Sequence, residues 1–559
     1  MHVDFIEYRP VKKEVAGAEE ASTELVREEE LVVLFTAVEA GDDAETAKKA
    51  VSEAKAFLSK LGTNRVMVYP FAHLSQNLAR PADARPVLDA MAAEAQAAGL
   101  ETMRSPFGWT KALQVKVKGH PLAEMSRSYG GAAAAPAQQQ KPRRELSEHE
   151  MLARLKKSDF GQLPETDHRT IGERLDLFSF HEPSPGMPFW HNNGLIVKQL
   201  LSEFVRKEQK ARGYIEVSTP ALSNTVLWRV SGHWDHYKDG MFLTAMGDEE
   251  FGLKPMNCPS TFLFYKTRRW SYRDLPLRVA DFDPLFRNEL SGVASGLFRV
   301  KTFVQDDAHI FVAEDQIASE LGNVIELMAR FYDVFGLKYT PKVSTMPDSH
   351  LGSEDQWEKA VEALVGAVRR RGIEPVIKEK EGAFYGPKID VDVKDSNGRE
   401  WQCATIQLDF QMPQRFKLTY TGADGAEHTP AVIHRVIYGS LERFIGIILE
   451  HYRGALPAWL SPVQARVIPL TDGNVAYAKE VLAGLSSAGF RADGDFQSGT
   501  MGGKIRDAQL QKIPYMLVVG KKEEEARTVA VRPRSGEQRY GVKLDEFVAE
   551  LKSKVEAYQ

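Results

Sequence analysis

Two arginines flank a loop rich in glycine and serine between residues 281 and 309. Arg287 ends an apolar run, the loop 291–296 follows, and Arg299 lies two residues into a second apolar run, Leu297–Val304. This pattern predicts two antiparallel strands joined by a flexible loop. Guanidinium groups that face each other across such a loop suit a polyphosphate, because each planar group can bind two phosphate oxygens. An ordinary hairpin with surface arginines has the same spacing.

Three potential metal ligands lie far apart in the chain, at Cys258, His309 and His434. No short spacing links them, so a local metal-binding motif does not reveal them. Taken singly, Cys258 is typical of a small buried hydrophobe, and each histidine of a hydrogen-bonded core residue. From these residue types and spacings alone, structural roles are favoured over metal binding.

The composition is that of an ordinary globular protein. Its 559 residues are 43% hydrophobic and 27% charged, which allows about three domains of roughly 100–200 residues each. The formal net charge of −5 provides no overall basic field, although local basic patches would still permit RNA binding. Two cysteines are too few for a disulfide framework, and no apolar run approaches the roughly 18 residues that span a bilayer. We therefore expect a cytoplasmic protein without a membrane segment.

Residues 1–129 predict a compact α/β or α+β module. Apolar runs at Leu31–Val38, Arg65–Tyr69 and Leu113–Val117 predict strands, and Glu45–Leu61 carries its apolar residues on one helical face. Residues 130–145 are low in complexity, lack large apolar side chains and end in basic residues. They predict a flexible linker, which serves either as a solvated tether or as a contact to a phosphate backbone.

Residues 146–461 contain the densest apolar runs and predict the main domain. A helix at 195–212 precedes a strand at 214–217 that Pro220 closes. Later, a buried strand at 431–438 leads through Gly439 to Ser440, which can cap a helix with Arg443 in its first turn. That helix is apolar on most sides, so the charge of Arg443 needs a partner.

Residues 462–559 alternate strands and helices. The expected elements are strands at 465–470, near Arg491 and at 515–520, with helices at 475–488 and 504–511. This alternation predicts a small parallel or mixed sheet covered by helices. Lys504, Arg506 and Lys512 are candidate RNA contacts, although a charged helix face is more often only solvated.

The runs FRNE, GLFRV and FVQDDAHIF resemble motif 2 of the class II aminoacyl-tRNA synthetases, in its threonyl-tRNA synthetase form. The helix, strand and Pro220 resemble motif 1, which builds a homodimer interface in this family, and Gly439 to Arg443 resembles motif 3. The run from Thr500 to Gly520 resembles the anticodon-binding domain of class IIa synthetases. The resemblance implies a multidomain α+β protein: a class II antiparallel-sheet catalytic core at 146–461 and a C-terminal α/β anticodon-binding domain at 462–559.

The implied activity is ATP-dependent conversion of L-threonine to threonyl-adenylate, followed by transfer to the 3′ end of tRNA(Thr). By resemblance, one Zn²⁺ per subunit binds the cysteine and two histidines named above, and Mg²⁺ accompanies ATP. The resemblance also assigns the remaining site residues: Asp307, Gln305 and Tyr385 to threonine; Arg287 to the α-phosphate; Lys388 to the α-phosphate or the threonine carboxylate; Arg299 and Arg443 to the γ-phosphate and adenine; Glu289 and Phe303 to adenine; and His233 to the proton of the attacking tRNA hydroxyl.

A zinc ion that binds the amino and hydroxyl groups of threonine, as the resemblance implies, would reject valine, which has no hydroxyl. It could not readily exclude serine, because serine offers the same two groups as threonine. A second, hydrolytic site for seryl-tRNA(Thr) is therefore expected. Residues 68–81 and 107–127 resemble the archaeal-type editing domain, which is related to D-aminoacyl-tRNA deacylases. The resemblance places His73, Lys118 and Glu124 at its pocket and predicts a shortened first strand, since the chain starts at Met1-His2-Val3-Asp4.

Two other interpretations remain open. One is a sister class IIa synthetase for serine, proline or histidine, which the cysteine and histidine set disfavours for proline and histidine. The other is a non-catalytic, synthetase-like RNA-binding or regulatory protein, which would need neither the arginines nor the metal ligands.

Overall fold

The computed structural model describes most of the chain. The residues outside its description are 16, 76, 119–122, 124, 126, 130–150, 153, 290–294, 349, 351–352, 384 and 396–397, together with the side chains of His73 and His236. The chain divides into two compact units, Met1–Glu145 and Leu146–Gln559. The predicted linker at 130–145, most of the loop 291–296 and the editing candidate Glu124 therefore lie outside the described residues.

Five strands form the sheet of the N-terminal unit. They are β1 His2–Lys13, β2 Val26–Thr36, β3 Arg65–Pro70, β4 Glu101–Arg104 and β5 Trp109–Val117. Their order is β4-β3-β2-β1-β5, with β2, β3 and β4 parallel and β1 antiparallel to both of its neighbours. The first strand, β1, has 12 residues and lies in the interior of the sheet; its predicted shortening relative to the family stays a prediction.

Two helices cover one face of this sheet, at Ala44–Leu61 and Pro81–Ala97. Val32, Val66 and Val68 point toward the helices and share a core with Leu58 and Leu88. The alternate residues of the same strands form a second cluster on the opposite face, as the two-residue period of a strand requires. This second cluster includes Val3, Tyr8, Leu31, Val33, Met67 and Tyr69.

The larger unit contains the following strands before residue 462: β6 Phe178–Ser179, β7 Phe189–Trp190, β8 Ile215–Val217, β9 Leu222–Asn224, β10 Leu243–Met246, β11 Glu249–Leu253, β12 Leu277–Asp281, β13 Pro284–Phe286, β14 Thr302–Val304, β15 Asp307–Val312, β16 Lys338–Ser344, β17 Val376–Lys378, β18 Lys388–Lys394, β19 Glu400–Asp409, β20 Tyr420–Thr421, β21 Glu427–His428 and β22 Ala431–Val436. Eight of them build one sheet in the order β17-β16-β18-β19-β22-β15-β12-β8. Its central strands β12, β15, β22, β19 and β18 pair antiparallel.

Helices pack against this sheet. They span His168–Arg174, Asn192–Ala211, Val226–Ser231, His233–Tyr237, Cys258–Tyr265, Ile317–Val334, Glu354–Arg369, Gln411–Arg415 and Leu441–His451. The helix Leu441–His451 begins as predicted, since the Ser440 hydroxyl accepts a hydrogen bond from the Arg443 backbone N–H. Its apolar residues are buried in the main core, which explains why it shows no solvent-facing stripe.

The hairpin around the glycine-rich loop is shorter than predicted. Strands β13 and β14 pair antiparallel, with Leu285 opposite Phe303. The residues expected to begin the returning strand instead form a 3₁₀ turn, Gly296–Phe298, so Arg299 lies between this turn and β14. Gly296 has φ 54°, a left-handed conformation that interrupts an extended run and that glycine adopts without strain.

The C-terminal part contains β23 Ala465–Pro469, β24 Ala492–Gly494, β25 Tyr515–Val519, β26 Thr528–Pro533 and β27 Arg539–Lys543, with helices Val475–Ser487, Met501–Leu510, Lys521–Ala526 and Leu544–Glu556. The sheet order is β24-β23-β25-β26-β27. The first three strands are parallel and the last two antiparallel, so the predicted mixed sheet is confirmed. Lys504 is buried and donates to the Asp495 carbonyl at 3.1 Å, which disfavours it as an RNA contact.

In the described residues, no helix has the length and apolar character needed to cross a bilayer.

Candidate active site

A cavity of about 390 Å³ lies over the central strands of the eight-stranded sheet. The predicted metal, ATP and threonine residues that line it are Cys258, Arg287, Glu289, Arg299, Phe303, Gln305, Asp307, His309, Tyr385, His434 and Arg443. These residues come from the segment at 256–258, the β13–β14 hairpin, strands β15 and β22, the segment before β18 and the helix after Ser440. The fold therefore brings together side chains that are far apart in the sequence.

The three potential metal ligands converge at the inner end of this cavity. His309 on β15 stands directly opposite His434 on β22, with ring centroids 4.8 Å apart. Cys258 starts the helix above them, and one ligand atom from each residue lies within 4.8 Å of the others. All three side chains are buried, and in the described structure the Nδ1 atom of His309 has no hydrogen-bond partner.

The electrostatics of this group suit a cation. Burial raises the pKa of the Cys258 thiol, and the carboxylates of Asp307 and Asp409 raise it further. Burial also lowers the pKa of His309, and His434 adds to that effect. The imidazole of His309 is therefore neutral and able to bind a metal, whereas the thiol needs a nearby positive charge to ionise.

Polar side chains from neighbouring strands surround the ligand group. Asp307 Oδ2 accepts a hydrogen bond from Asn257 Nδ2 at 3.2 Å, and burial raises the pKa of Asp307. The Tyr385 hydroxyl donates to Gln407 Oε1 at 2.7 Å, and its ring lies 5.8 Å from that of His434. Gln305 lines the same part of the cavity. A carboxylate, three amides and a phenol thus lie beside the three ligands.

Three arginines line the outer half of the cavity. The guanidinium of Arg287 lies 5.0 Å from the ring centroid of Phe303 and donates to the Pro255 carbonyl at 3.3 Å. Arg299 pairs with Glu289, with Nη2 to Oε2 at 2.8 Å. Arg443 donates from Nε to the Phe298 carbonyl at 3.0 Å. Burial lowers the pKa of Arg443, and Arg287 and Arg299 lower it further, so the cavity carries a concentrated positive charge that an anion would neutralise.

Two predicted catalytic residues do not line this cavity. Lys388 begins β18, and its ammonium pairs with Asp390 Oδ2 at 2.7 Å. His233 is buried at the start of the helix His233–Tyr237, where its Nδ1 lies 2.8 Å from the Ser231 hydroxyl. Both assignments remain predictions.

The predicted editing residues are described only in part. Lys118 lies at the end of β5 and donates to Asp4 Oδ1 at 2.9 Å and to Glu30 Oε1 at 2.8 Å. These carboxylates raise the pKa of Lys118, so it stays charged. Glu124 and the side chain of His73 lie outside the described residues, and the backbone of His73 belongs to the turn Ala72–Leu74.

A second lysine of the same strand has a different environment. Lys111 Nζ lies 4.5 Å from the ring centroid of Tyr69, four residues before His73 in the chain. Burial lowers the pKa of Lys111 to about 8. A lysine with a lowered pKa can exchange a proton near neutral pH, which is a property of functional lysines rather than of surface ones.

A solved structure of the RNA-binding domain of threonyl-tRNA synthetase from Cryptosporidium parvum Iowa II has this architecture. It matches with a TM-score of 0.68 and 42% identity, covering 69% of this chain and 98% of that chain. This chain belongs to the threonyl-tRNA synthetase family. The match confirms the predicted family and its multidomain α+β fold.

Three family models match successive parts of the chain. Residues 1–129 match the Archaea-specific editing domain of threonyl-tRNA synthetase, and residues 242–452 match the tRNA synthetase class II core domain (G, H, P, S and T). Residues 464–554 match an anticodon-binding domain.

Curated threonine–tRNA ligases match a large part of the chain. That of Natranaerobius thermophilus is 50% identical over 390 residues, and that of Acetivibrio thermocellus is 51% identical over 382 residues. These matches cover 70% and 68% of this chain but only 61% and 60% of the relatives. The chain therefore spans less than two thirds of the length of these threonyl-tRNA synthetases.

Three residues of the site were missed in the sequence. Asp409 Oδ2 lies 3.0 Å from His434 Nε2 and so holds the ring of a potential ligand, and Asn257 and Gln407 hold Asp307 and Tyr385. Asn257 adjoins Cys258, a proximity that could have indicated it. Asp409 and Gln407 come into position only through the pairing of β19 with β22, where Gln407 stands opposite His434.

Proposed function

We propose that this protein is a threonine–tRNA ligase that activates L-threonine with ATP and transfers it to tRNA(Thr). The observation that carries the proposal is the joint placement of the cysteine, the two histidines and the three arginines in one cavity. A polyanion can bind at the arginines while an amino acid reaches the ligand group, because both line the same space.

The ligand group fits zinc. A buried thiol beside two neutral imidazoles is a donor set that zinc prefers, and the free Nδ1 of His309 offers a ligand atom. Asp409 suits this assignment, since a carboxylate commonly orients a zinc-binding histidine. Zinc held by these three residues would supply a Lewis acid that binds the amino and hydroxyl groups of threonine.

The residues of the chain would discriminate threonine from valine by hydrogen bonding. Asp307, which Asn257 holds, would accept the substrate hydroxyl proton, and Gln305 and Tyr385 would orient the amino group. Valine has the amino group but no hydroxyl, so it would leave the buried Asp307 carboxylate without its substrate partner, and such a loss discriminates far more strongly than shape does.

The first reaction joins the threonine carboxylate to the α-phosphate of ATP and releases pyrophosphate. Arg287 would bind the α-phosphate, where negative charge develops in the transition state, and Arg299 and Arg443 would bind the γ-phosphate and adenine. Glu289 and Phe303 would complete the adenine contact, and Lys388 would reach the α-phosphate only after leaving Asp390. Class II synthetases use Mg²⁺ with ATP.

In the second reaction a tRNA hydroxyl attacks the adenylate and AMP leaves. His233 would take the hydroxyl proton, a role that suits a neutral imidazole. Its Nδ1 contact with Ser231 would fix the orientation of the ring. The C-terminal domain at 462–559 would read the anticodon, and motif 1 would form the interface of a homodimer in the cytoplasm.

The N-terminal module at 1–129 would hydrolyse seryl-tRNA(Thr). His73, Lys118 and Glu124 are the residues assigned by resemblance. The geometry favours Lys111 over Lys118 as the lysine that moves a proton, because Lys118 is bound by two carboxylates whereas Lys111 packs on Tyr69 with a lowered pKa.

Amino-acid-dependent ATP–pyrophosphate exchange tests this function, with zinc content measured on the same sample. We expect exchange with threonine, weaker exchange with serine, almost none with valine, and about one zinc per chain. Exchange with another amino acid would identify a sister enzyme. No exchange despite bound zinc and bound tRNA would identify a non-catalytic RNA-binding protein.

A further inference from the structure

A second cluster of titratable side chains lies outside the ligand group, at Asp167, His168 and Glu450. Their potential ligand atoms lie within 4.8 Å of one another. However, both oxygens of Asp167 accept hydrogen bonds from Arg169, and the second oxygen of Glu450 binds Arg399. Guanidinium groups therefore occupy the sites that a cation would need, and the cluster must serve another purpose.

The hydrogen bonds of His168 define which ring nitrogen carries the proton. The Leu297 backbone N–H can only donate, and it lies 3.0 Å from Nε2, so Nε2 is the acceptor. Nδ1 then carries the proton and donates to Glu450 Oε1 at 2.8 Å. His168 is completely buried and Glu450 is 3% exposed. The two hydrogen bonds that run from Leu297 through His168 to Glu450, called the relay, therefore have one fixed direction from donor to acceptor.

The relay is linked to an arginine of the cavity. Leu297 belongs to the 3₁₀ turn Gly296–Phe298, and the next carbonyl, that of Phe298, accepts from Arg443 Nε at 3.0 Å. His168 thus accepts from the Leu297 N–H, and the Phe298 carbonyl that binds Arg443 belongs to the next residue of the turn. A shift of the turn would move the carbonyl and, with it, the guanidinium of Arg443.

Packing restrains the same turn from two sides. The ring of Phe298 lies between those of His168 and Trp401, with centroids 4.1 Å and 4.2 Å away. A Cβ added at Gly296 would collide with the ring of His168. The turn can therefore approach His168 closely enough to form the hydrogen bond only because residue 296 is glycine.

We propose that His168 is a positioning residue for ATP binding: through Leu297 it fixes the 3₁₀ turn that carries the Phe298 carbonyl and orients Arg443. The proposal rests on the proposed function, because it assumes that Arg443 contacts ATP. It predicts that loss of the acceptor that His168 offers to the Leu297 N–H raises KM for ATP and leaves KM for threonine unchanged.

Two substitutions separate the bonds of His168. His168→Gln can place an amide oxygen near the position of Nε2 and still accept from Leu297, whereas His168→Asn offers an amide N–H near Nδ1 but no acceptor for Leu297. We expect His168→Asn to raise KM for ATP about tenfold, as for one lost buried hydrogen bond, with KM for threonine and zinc content unchanged. His168→Gln should stay within about threefold of the parent.

His181→Gln is the matched control, since His181 lies in the same region and contacts Ser179 rather than the turn. Gly296→Ala provides a second route that leaves His168 intact, and it should also raise KM for ATP selectively. The readouts are pyrophosphate exchange kinetics and calorimetric binding of Mg·ATP.

Unchanged KM for ATP in both His168→Asn and Gly296→Ala would overturn the relay while the proposed function stands. Equal rises in KM for ATP and threonine would also overturn it, because they indicate general loss of structure. A parent protein with neither exchange nor Mg·ATP binding would overturn both proposals. If His168→Asn does not fold, Gly296→Ala and His168→Gln are compared instead. A selective rise in KM for ATP in Gly296→Ala but not in His168→Gln supports the proposal, and an unchanged KM for ATP in Gly296→Ala overturns it.

Discussion

Two arginines of the candidate active site and two lysines of the N-terminal module are held in different ways, whereas Arg299 of the candidate site pairs with Glu289. In the cavity, Arg287 and Arg443 donate to backbone carbonyls and leave much of their charge for a ligand. In the module, Lys118 is neutralised by two carboxylates, and Lys111 is held over an aromatic ring with its pKa lowered to about 8. The comparison teaches that the environment of a cation, more than its position in a motif, indicates whether it binds substrate.

Loss of the metal should have the largest effect. Cys258→Ala removes the thiolate, so we expect zinc to fall from about one per chain to near zero and threonine-dependent exchange to fall by at least about 10³-fold. The measurement is metal analysis with exchange kinetics. Cys403→Ala, which removes the other buried cysteine, should keep its zinc. A zinc-free variant that still activates threonine would refute the metal assignment.

Removal of an arginine from the cavity should have the next largest effect. Arg443→Ala should lower kcat/KM for ATP about 10²- to 10³-fold, because a charged contact to the γ-phosphate or adenine of the bound ATP is lost. Steady-state exchange at varied ATP concentration measures this effect. Arg369→Ala, at an exposed pair with Glu374, is the control and should be neutral. Equal behaviour of the two variants would contradict the ATP site.

The two lysines of the N-terminal module should differ by about 100-fold. If Lys111 moves the proton, Lys111→Ala should slow hydrolysis of seryl-tRNA(Thr) by about 10²-fold while Lys118→Ala changes it little. Since the pKa of Lys111 is lowered to about 8, its neutral form increases as the pH rises through 8, and hydrolysis should increase over the same range. Assays with preformed seryl-tRNA at pH 6.5–9.5 test this. A larger loss in Lys118→Ala would restore the assignment by resemblance.

The smallest expected effect concerns Asp409. Asp409→Asn leaves all three ligands in place but replaces the carboxylate that orients His434, so zinc affinity should fall about 10- to 100-fold. Competition with a chelator measures this change. Asp424→Asn removes a carboxylate that contacts the exposed His428 and is the control. Unaltered zinc affinity in Asp409→Asn would show that the ring of His434 needs no such support.

Much of the fold was predictable because its elements carry local signals. The helix after Ser440 has an N-cap and a dense apolar run, and strand β22 is buried and apolar throughout. The prediction that the returning strand begins at Leu297 was wrong, because Leu297 and Phe298 are apolar residues that fit a strand pattern but lie in a 3₁₀ turn. Their burial comes from contacts with His168 and Trp401, which are distant in sequence.

Some residues of the candidate site could be named from the sequence by resemblance, but the geometry of the site could not be predicted. Resemblance located Cys258, His309 and His434, whereas the supporting Asp409 and Gln407 depend on strand pairing that no short pattern reveals. In the N-terminal module, nothing in the sequence distinguishes the environment of Lys111 from that of Lys118. Only the neighbours supplied by β1 and β3 separate them, since Asp4 lies on β1 and Tyr69 on β3.

The pairing of His309 with His434 has a consequence for folding. Side chains of a strand alternate between faces, so a slip of β22 by one residue would turn His434 away from His309 and from Cys258. On the proposed zinc assignment, a chain with β22 out of register would lack the complete ligand set and would not bind the metal. A chain that holds the three potential ligand atoms within 4.8 Å of one another therefore has β15 and β22 in register.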